Sequence, residues 1–191
     1  MKHAALTEAA ARLLASAGLG RGPVALTALQ GGANNRVFAI EGADRPALLK
    51  CYFRHPADTR DRLGAEFGFS QFAWNAGLRA LPEPLACDEG AGLGLYALIE
   101  GAPVDAAAVG SSEVAAAAAF VADLVSVQHL PDAARLSHAS EACFTFEEHL
   151  ARVDARVARV AAVKPADDVA RACASFGSLA ESCSAIRRAF A

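Results

Sequence analysis

The sequence offers little to nucleic acid, to a membrane or to a metal. No basic cluster is longer than Arg187-Arg188, and the formal net charge is −3 with a sequence pI near 5.9. Nothing in that pattern supports binding by counterion release, so no nucleic-acid partner is expected. The most apolar stretch, Val114 to Val127, is shorter than the roughly 20 residues of a membrane span. Glu113 and Asp123 bracket or enter it, so it is expected to be a core helix, and no membrane partner is expected. Glu8 and Arg12 interrupt the opening apolar residues, which makes residues 4–18 an amphipathic helix rather than a signal peptide. Five cysteines, Cys51, Cys87, Cys143, Cys173 and Cys183, include no C-x-x-C pair and no regular disulfide spacing. A reducing, cytoplasmic setting is the expectation. His3, His55, His129, His138 and His149 stand singly, without the i,i+4 pair of a zinc helix. No G-x-x-x-x-G-K-[ST] occurs, and Gly90 to Gly94 leads into a strand-like run where a dinucleotide site needs a helix.

What is present is an apolar, alanine-rich chain. Hydrophobic residues make up 54% of 191, and roughly a quarter of all positions are alanine, which favours helix but buries little area. Short apolar runs between turn signals predict five strands: Val24 to Leu29, Arg36 to Ile40, Ala47 to Phe53, Pro84 to Cys87 and Leu93 to Ile99. Gly31 to Asn35 and Glu41 to Pro46 join the first three as consecutive hairpins. One helix, about Asp58 to Asn75, interrupts the strands, with Leu63, Phe67 and Trp74 near one stripe and Gly77 as its stop. Beyond Gly101 the strand signals vanish. Ser111 or Ser112 is expected to cap a long helix, and Thr145 to Glu148 matches a capping box ahead of an apolar row at Phe146, Leu150, Val153, Val157 and Val160. A last stripe runs from Val169 to Phe190 without a glycine or proline stop. The expected fold is α+β: a five-stranded antiparallel sheet with one packed helix over residues 1–101, then an all-helical, truncated lobe over 102–191.

Alternation along the third strand sets Leu48, Lys50 and Tyr52 on one face and Leu49, Cys51 and Phe53 on the other, so Lys50 is a charge among apolar neighbours. Such a group needs a partner. Glu66 shares a helical face with Phe69 and Ala73, which turns its carboxylate toward the sheet. The same Glu66 is also spaced to pair with Arg62 one turn earlier, and Lys50 could equally snorkel at a sheet edge. Gly31 and Gly32 would let backbone N–H groups approach phosphate oxygens, while Asn34 or Asn35 tolerates left-handed turn geometry. A glycine turn, a lysine on the third strand and a glutamate on the next helix, in that order, is the arrangement by which kinase-like folds hold ATP phosphates.

Gln30 to Phe38, Leu48 to Phe53, Asp61 to Phe67 and Leu95 to Gly101 together resemble the amino-terminal lobe of the aminoglycoside phosphotransferase/choline kinase superfamily, over roughly residues 25–101. The resemblance implies a kinase-like lobe that binds ATP with Mg2+. Gly31, Gly32, Asn34 and Asn35 would cover the phosphates, Lys50 would contact them, Glu66 would hold Lys50, and Ile99, Glu100 and Gly101 would form the adenine hinge. The superfamily also carries a catalytic Asp in an H-G-D-x-x-x-x-N-like loop and a later metal-binding Asp. Asparagine occurs here only at Asn34, Asn35 and Asn75, so nothing after the hinge matches that loop's Asn. His129-Leu130-Pro131-Asp132 is a decoy, and Asp167 and Asp168 read as a helix N-terminal turn. No catalytic residue and no metal ligand are therefore assigned. The expectation is the ATP-binding portion of a small-molecule phosphotransferase, without turnover of its own and with the acceptor open. A non-catalytic nucleotide-binding or protein-interaction module is the alternative. In that case the stripe from Val169 to Phe190 would meet a second copy or a missing carboxy-terminal lobe.

Overall fold

The structure is a computed structural model that describes residues 3–30, 34–56, 58, 60–139, 142–162, 168 and 171. The stripe from Val169 to Phe190 lies outside the described residues. The chain forms two compact units, residues 1–138 and 139–191. The first contains α1 (His3–Ser16), β1 (Ala25–Leu29), β2 (Arg36–Glu41), β3 (Ala47–Cys51), α2 (Arg62–Asn75), β4 (Pro84–Asp88), β5 (Leu93–Ala97) and α3 (Ser111–Val127). In the second, α4 (Phe146–Ala161) begins at the Thr145 capping box, with the Thr145 hydroxyl accepting from Glu148 N–H and the Glu148 carboxylate accepting from Thr145 N–H.

The class is α+β, with five antiparallel strands in the order β1-β2-β3-β5-β4. Hairpins join β1 to β2 and β2 to β3; α2 then carries the chain across, so β5 rather than β4 lies beside β3. Gly42, in the second hairpin, has φ +90°, and a Cβ there would come within 2.7 Å of the Pro23 carbonyl oxygen. Only glycine suits that turn.

Strand alternation gives the sheet two distinct faces. Phe38, Ile40, Ala47, Leu49, Leu93 and Leu95 are buried with Leu6, Ala9, Ala10, Leu13 and Leu14, so α1 covers one face as a closed apolar layer. The other face carries Lys50, Tyr52 and Tyr96 toward α2, where Phe67 packs on Tyr96 with ring centroids 5.6 Å apart. Thus the opening helix also packs on the sheet, leaving the polar chemistry to the α2 side.

Three local expectations are corrected. Helix α2 starts at Arg62 rather than near Asp58, because the Asp61 carboxylate accepts the Gly64 N–H and caps the first turn. Helix α3 has Gly110 as its N-cap, not Ser111 or Ser112; Glu113 folds back to accept the Gly110 N–H at 2.8 Å. Nor is α3 a core helix along its length. It buries Val127 and tucks Phe120 and Leu124 against the end of α2, while Val114, Val121 and Val125 are more than half exposed. Its alanines offer too little apolar area for more than one edge to be held.

Leu49 is fully buried between sheet and α1. Leu49→Ala should lower unfolding free energy by about 2–5 kcal/mol, read from urea titration, because the layer cannot collapse into the space.

Candidate functional site

The site lies on the α2 face of β3. Lys50 stands in register with Val37 of β2 on one side and Gly94 of β5 on the other. Its ammonium donates to both carboxylate oxygens of Glu66, at 2.6 and 2.8 Å, and its side chain is 21% exposed against 42% for Glu66. An ammonium has three donors, so one remains for another acceptor. Arg62, the competing partner for Glu66, bonds Asp58 instead, at 2.8 Å, and lies over the Phe53 ring. Asp58 serves both Arg60 and Arg62, whose hydrogen bonds hold its carboxyl well below the usual carboxylate range.

Two tyrosines complete this face, and they are the only two in the chain. Tyr52 follows Lys50 by two positions, and its ring centroid is 5.1 Å from the ammonium. The Tyr52 and Tyr96 hydroxyls share a 2.7 Å hydrogen bond, and both side chains are buried. Gly94 makes room for them: a Cβ there would lie 2.8 Å from Cε2 of Tyr96 and 3.2 Å from Cε2 of Tyr52. Burial, chiefly, and then the bond to Tyr96 and the Glu66 charge push Tyr52 far above the ordinary 10.0. Tyr96 is raised mainly by burial, with Glu66 and Cys87 adding to it and the bond to Tyr52 opposing it.

The other predicted residues are distributed around this pair. Gly31 and Gly32 lie outside the described residues. Asn34 is exposed, whereas the Asn35 carboxamide oxygen accepts the Phe53 N–H at 3.1 Å, tying the end of the first turn to the chain just past β3. Ile99, Glu100 and Gly101 leave the sheet after β5 and are all exposed. His129 and Asp132 are exposed too, with Asp132 paired to Arg135. Asp168 is exposed and pairs with Arg171. Sequence reasoning missed Tyr96 and Gly94 altogether. The signal for Tyr52 was its alternation with Lys50; nothing in the sequence announced the β3–β5 register that brings the other two alongside.

Among the described residues no helix is long and apolar enough to cross a membrane. The family model described as "Phosphotransferase enzyme family" matches residues 25–181. No curated protein matches the chain closely enough to count as a relative.

Two outcomes are expected of this geometry. Because Glu66 is partly exposed, Glu66→Ala should cost about 1 kcal/mol or less in urea unfolding, however much it changes at the site. Both tyrosines have folded-state values above the unfolded 10.0, so their contribution to stability is complete below that pH and is lost as pH rises beyond it. Tyrosinate absorbance should therefore appear together with alkaline unfolding, well above pH 10.0, and not as a separate earlier step.

Proposed function

The chain belongs to the phosphotransferase enzyme family, whose chemistry is phosphoryl transfer, and we propose that residues 25–101 bind the nucleotide for it. The observation that carries this is the half-buried Lys50–Glu66 pair, with one ammonium donor left over. In this reading Lys50 meets the phosphates. Gly31, Gly32, Asn34 and Asn35 would then cover those phosphates, and Ile99 to Gly101 would receive the base. Register supports that order: β2 begins at Arg36 opposite Cys51, next to Lys50, while β5 leaves the sheet at Ala97 opposite Ala47. From Lys50 to Ala47 is three strand residues, about 10 Å, a span suited to a nucleoside and its first phosphates.

ATP, when bound, supplies the phosphoryl group to be transferred. Lys50 holds and orients the phosphates, and Glu66 keeps the ammonium charged and aimed. The family generally uses a divalent metal as well. Among the described residues no group of three His, Cys, Asp or Glu is placed to hold one. No asparagine follows Asn75, and the exposed His129 and Asp132 form no loop of the catalytic kind. The 191-residue chain is therefore read as binding nucleotide without turning it over. The acceptor is a small molecule of undetermined class.

The exposed Val114, Val121 and Val125 row on α3 favours a second reading, a nucleotide-binding module that also meets a protein partner. Sedimentation of the isolated chain tests whether that partner is a second copy, because a strict monomer argues against self-association through that row.

Mg-ATP at 100 times its Kd should stabilise the chain by about 2.7 kcal/mol in thermal unfolding. Lys50→Ala should abolish that shift. Lys50-dependent phosphoryl transfer by the 191-residue chain in a product assay would overturn binding without turnover.

A further inference from the structure

The connection from β3 to α2 carries Arg54, Arg60 and Arg62, and all three border one cleft of about 570 Å³ together with Phe53, Pro56 and Leu63. That volume is in the range of small-molecule sites. The carboxylates among its described lining residues are Asp58 and Asp61, and both are committed. Asp58 accepts from Arg60 and Arg62, while Asp61 accepts the Gly64 N–H at the start of α2. Three guanidinium groups, always charged, against two carboxylates leave the lining one positive charge in excess.

Two of these arginines are held in place by the fold. Arg54 donates through Nη1 and Nη2 to the Gly90 and Glu89 carbonyls in the turn between β4 and β5. Arg62 bonds Asp58 through Nε and Nη2, at 3.2 and 2.8 Å, which leaves its Nη1 for a further acceptor. The same guanidinium stands 5.7 Å from the centroid of Phe53, whose ring is 42% exposed. A preset cation beside an uncovered aromatic ring suits an anion with an apolar stem.

We propose that this cleft binds the phosphate group of a small phosphate monoester whose apolar part lies on Phe53, separately from any nucleotide at Lys50. A phosphate presents three acceptor oxygens, enough to meet donors from more than one arginine, whereas a carboxylate is satisfied by a single fork. The cleft adjoins the Lys50 site at Tyr52, which lines it and whose ring centroid is 5.1 Å from the ammonium. The cations are nonetheless held apart: Lys50 by Glu66, Arg62 by Asp58 and Arg54 by the turn carbonyls. The site therefore goes beyond the nucleotide reading and does not depend on it.

Phenyl phosphate is the probe, titrated into the 191-residue chain by calorimetry at fixed ionic strength. Arg54→Gln and Arg62→Gln should each weaken its binding about tenfold or more, the worth of a hydrogen bond to a charged group. Phe53→Ala should weaken phenyl phosphate and leave inorganic phosphate unchanged, and benzoate should bind the wild-type chain less tightly than phenyl phosphate. Undiminished binding in both folded arginine variants sinks the proposal, as does inorganic phosphate or benzoate binding as tightly as the probe. Should the variants fail to fold, phenylglyoxal modification of the wild-type chain with mass mapping decides. Phenyl phosphate should protect Arg54 and Arg62 relative to the exposed Arg21, and equal modification with and without it rules the site out.

Mg-ATP distinguishes the two sites. Phenyl phosphate should keep the same Kd in its presence, and displacement would mean that the arginines serve the nucleotide's own phosphates, which overturns a separate site. If the chain binds phenyl phosphate but no Mg-ATP, the nucleotide reading fails and the cleft stands. If it binds Mg-ATP but no phenyl phosphate, the cleft fails alone.

Discussion

The ion pair between Lys50 and Glu66 joins the sheet to α2, beside the Phe67 ring packed on Tyr96 of β5. It places a cation in the middle of a strand, on the one face of the sheet where a cation can be tolerated. A mostly buried ammonium favours a carboxylate at its own height, and α2 supplies one. The neighbouring contacts suit that pairing. Asp61 sets where α2 begins, and Asp58 takes the arginine that would compete for Glu66. Gly94 leaves a gap that the tyrosines fill.

Division of labour between the two faces of the sheet is what lets such a site exist on a lobe with a thin core. The α1 face is closed by leucines and alanines and supplies most of the burial. Relieved of that task, the α2 face can carry hydroxyls, a carboxylate and an ammonium. The tyrosines are buried there, while the ammonium and the carboxylate remain partly open. A partly exposed pair of this kind contributes little to stability, so its geometry is better explained by what it presents than by what it holds together.

The strands, their order of appearance and the faces of Lys50 and Glu66 were legible in the sequence because each rests on a local period. Alternation set the face of Lys50, and helical spacing set the face of Glu66. The Thr145 capping box was legible for the same reason, its partners being three residues apart. The exposure of α3 was not legible. Valines in an alanine-rich helix look the same in sequence whether or not something covers them, and only packing tells which edge is held. The choice between Lys50 and Arg62 as partner for Glu66 was likewise open, because it turned on Asp58, which reaches back to Arg62 from outside the helix.

By itself the sequence determined which residues could do chemistry and on which face of which element each would sit, since backbone periodicity is a local property. Tertiary structure alone decided which of them meet. The crossover through α2 inserts β5 beside β3, and that one pairing brings Gly94 opposite Lys50 and Tyr96 within a hydrogen bond of Tyr52. Contacts between residues 44 positions apart depend on strand order and register, which are set by burial summed over the whole sheet and are written in no short stretch of the chain.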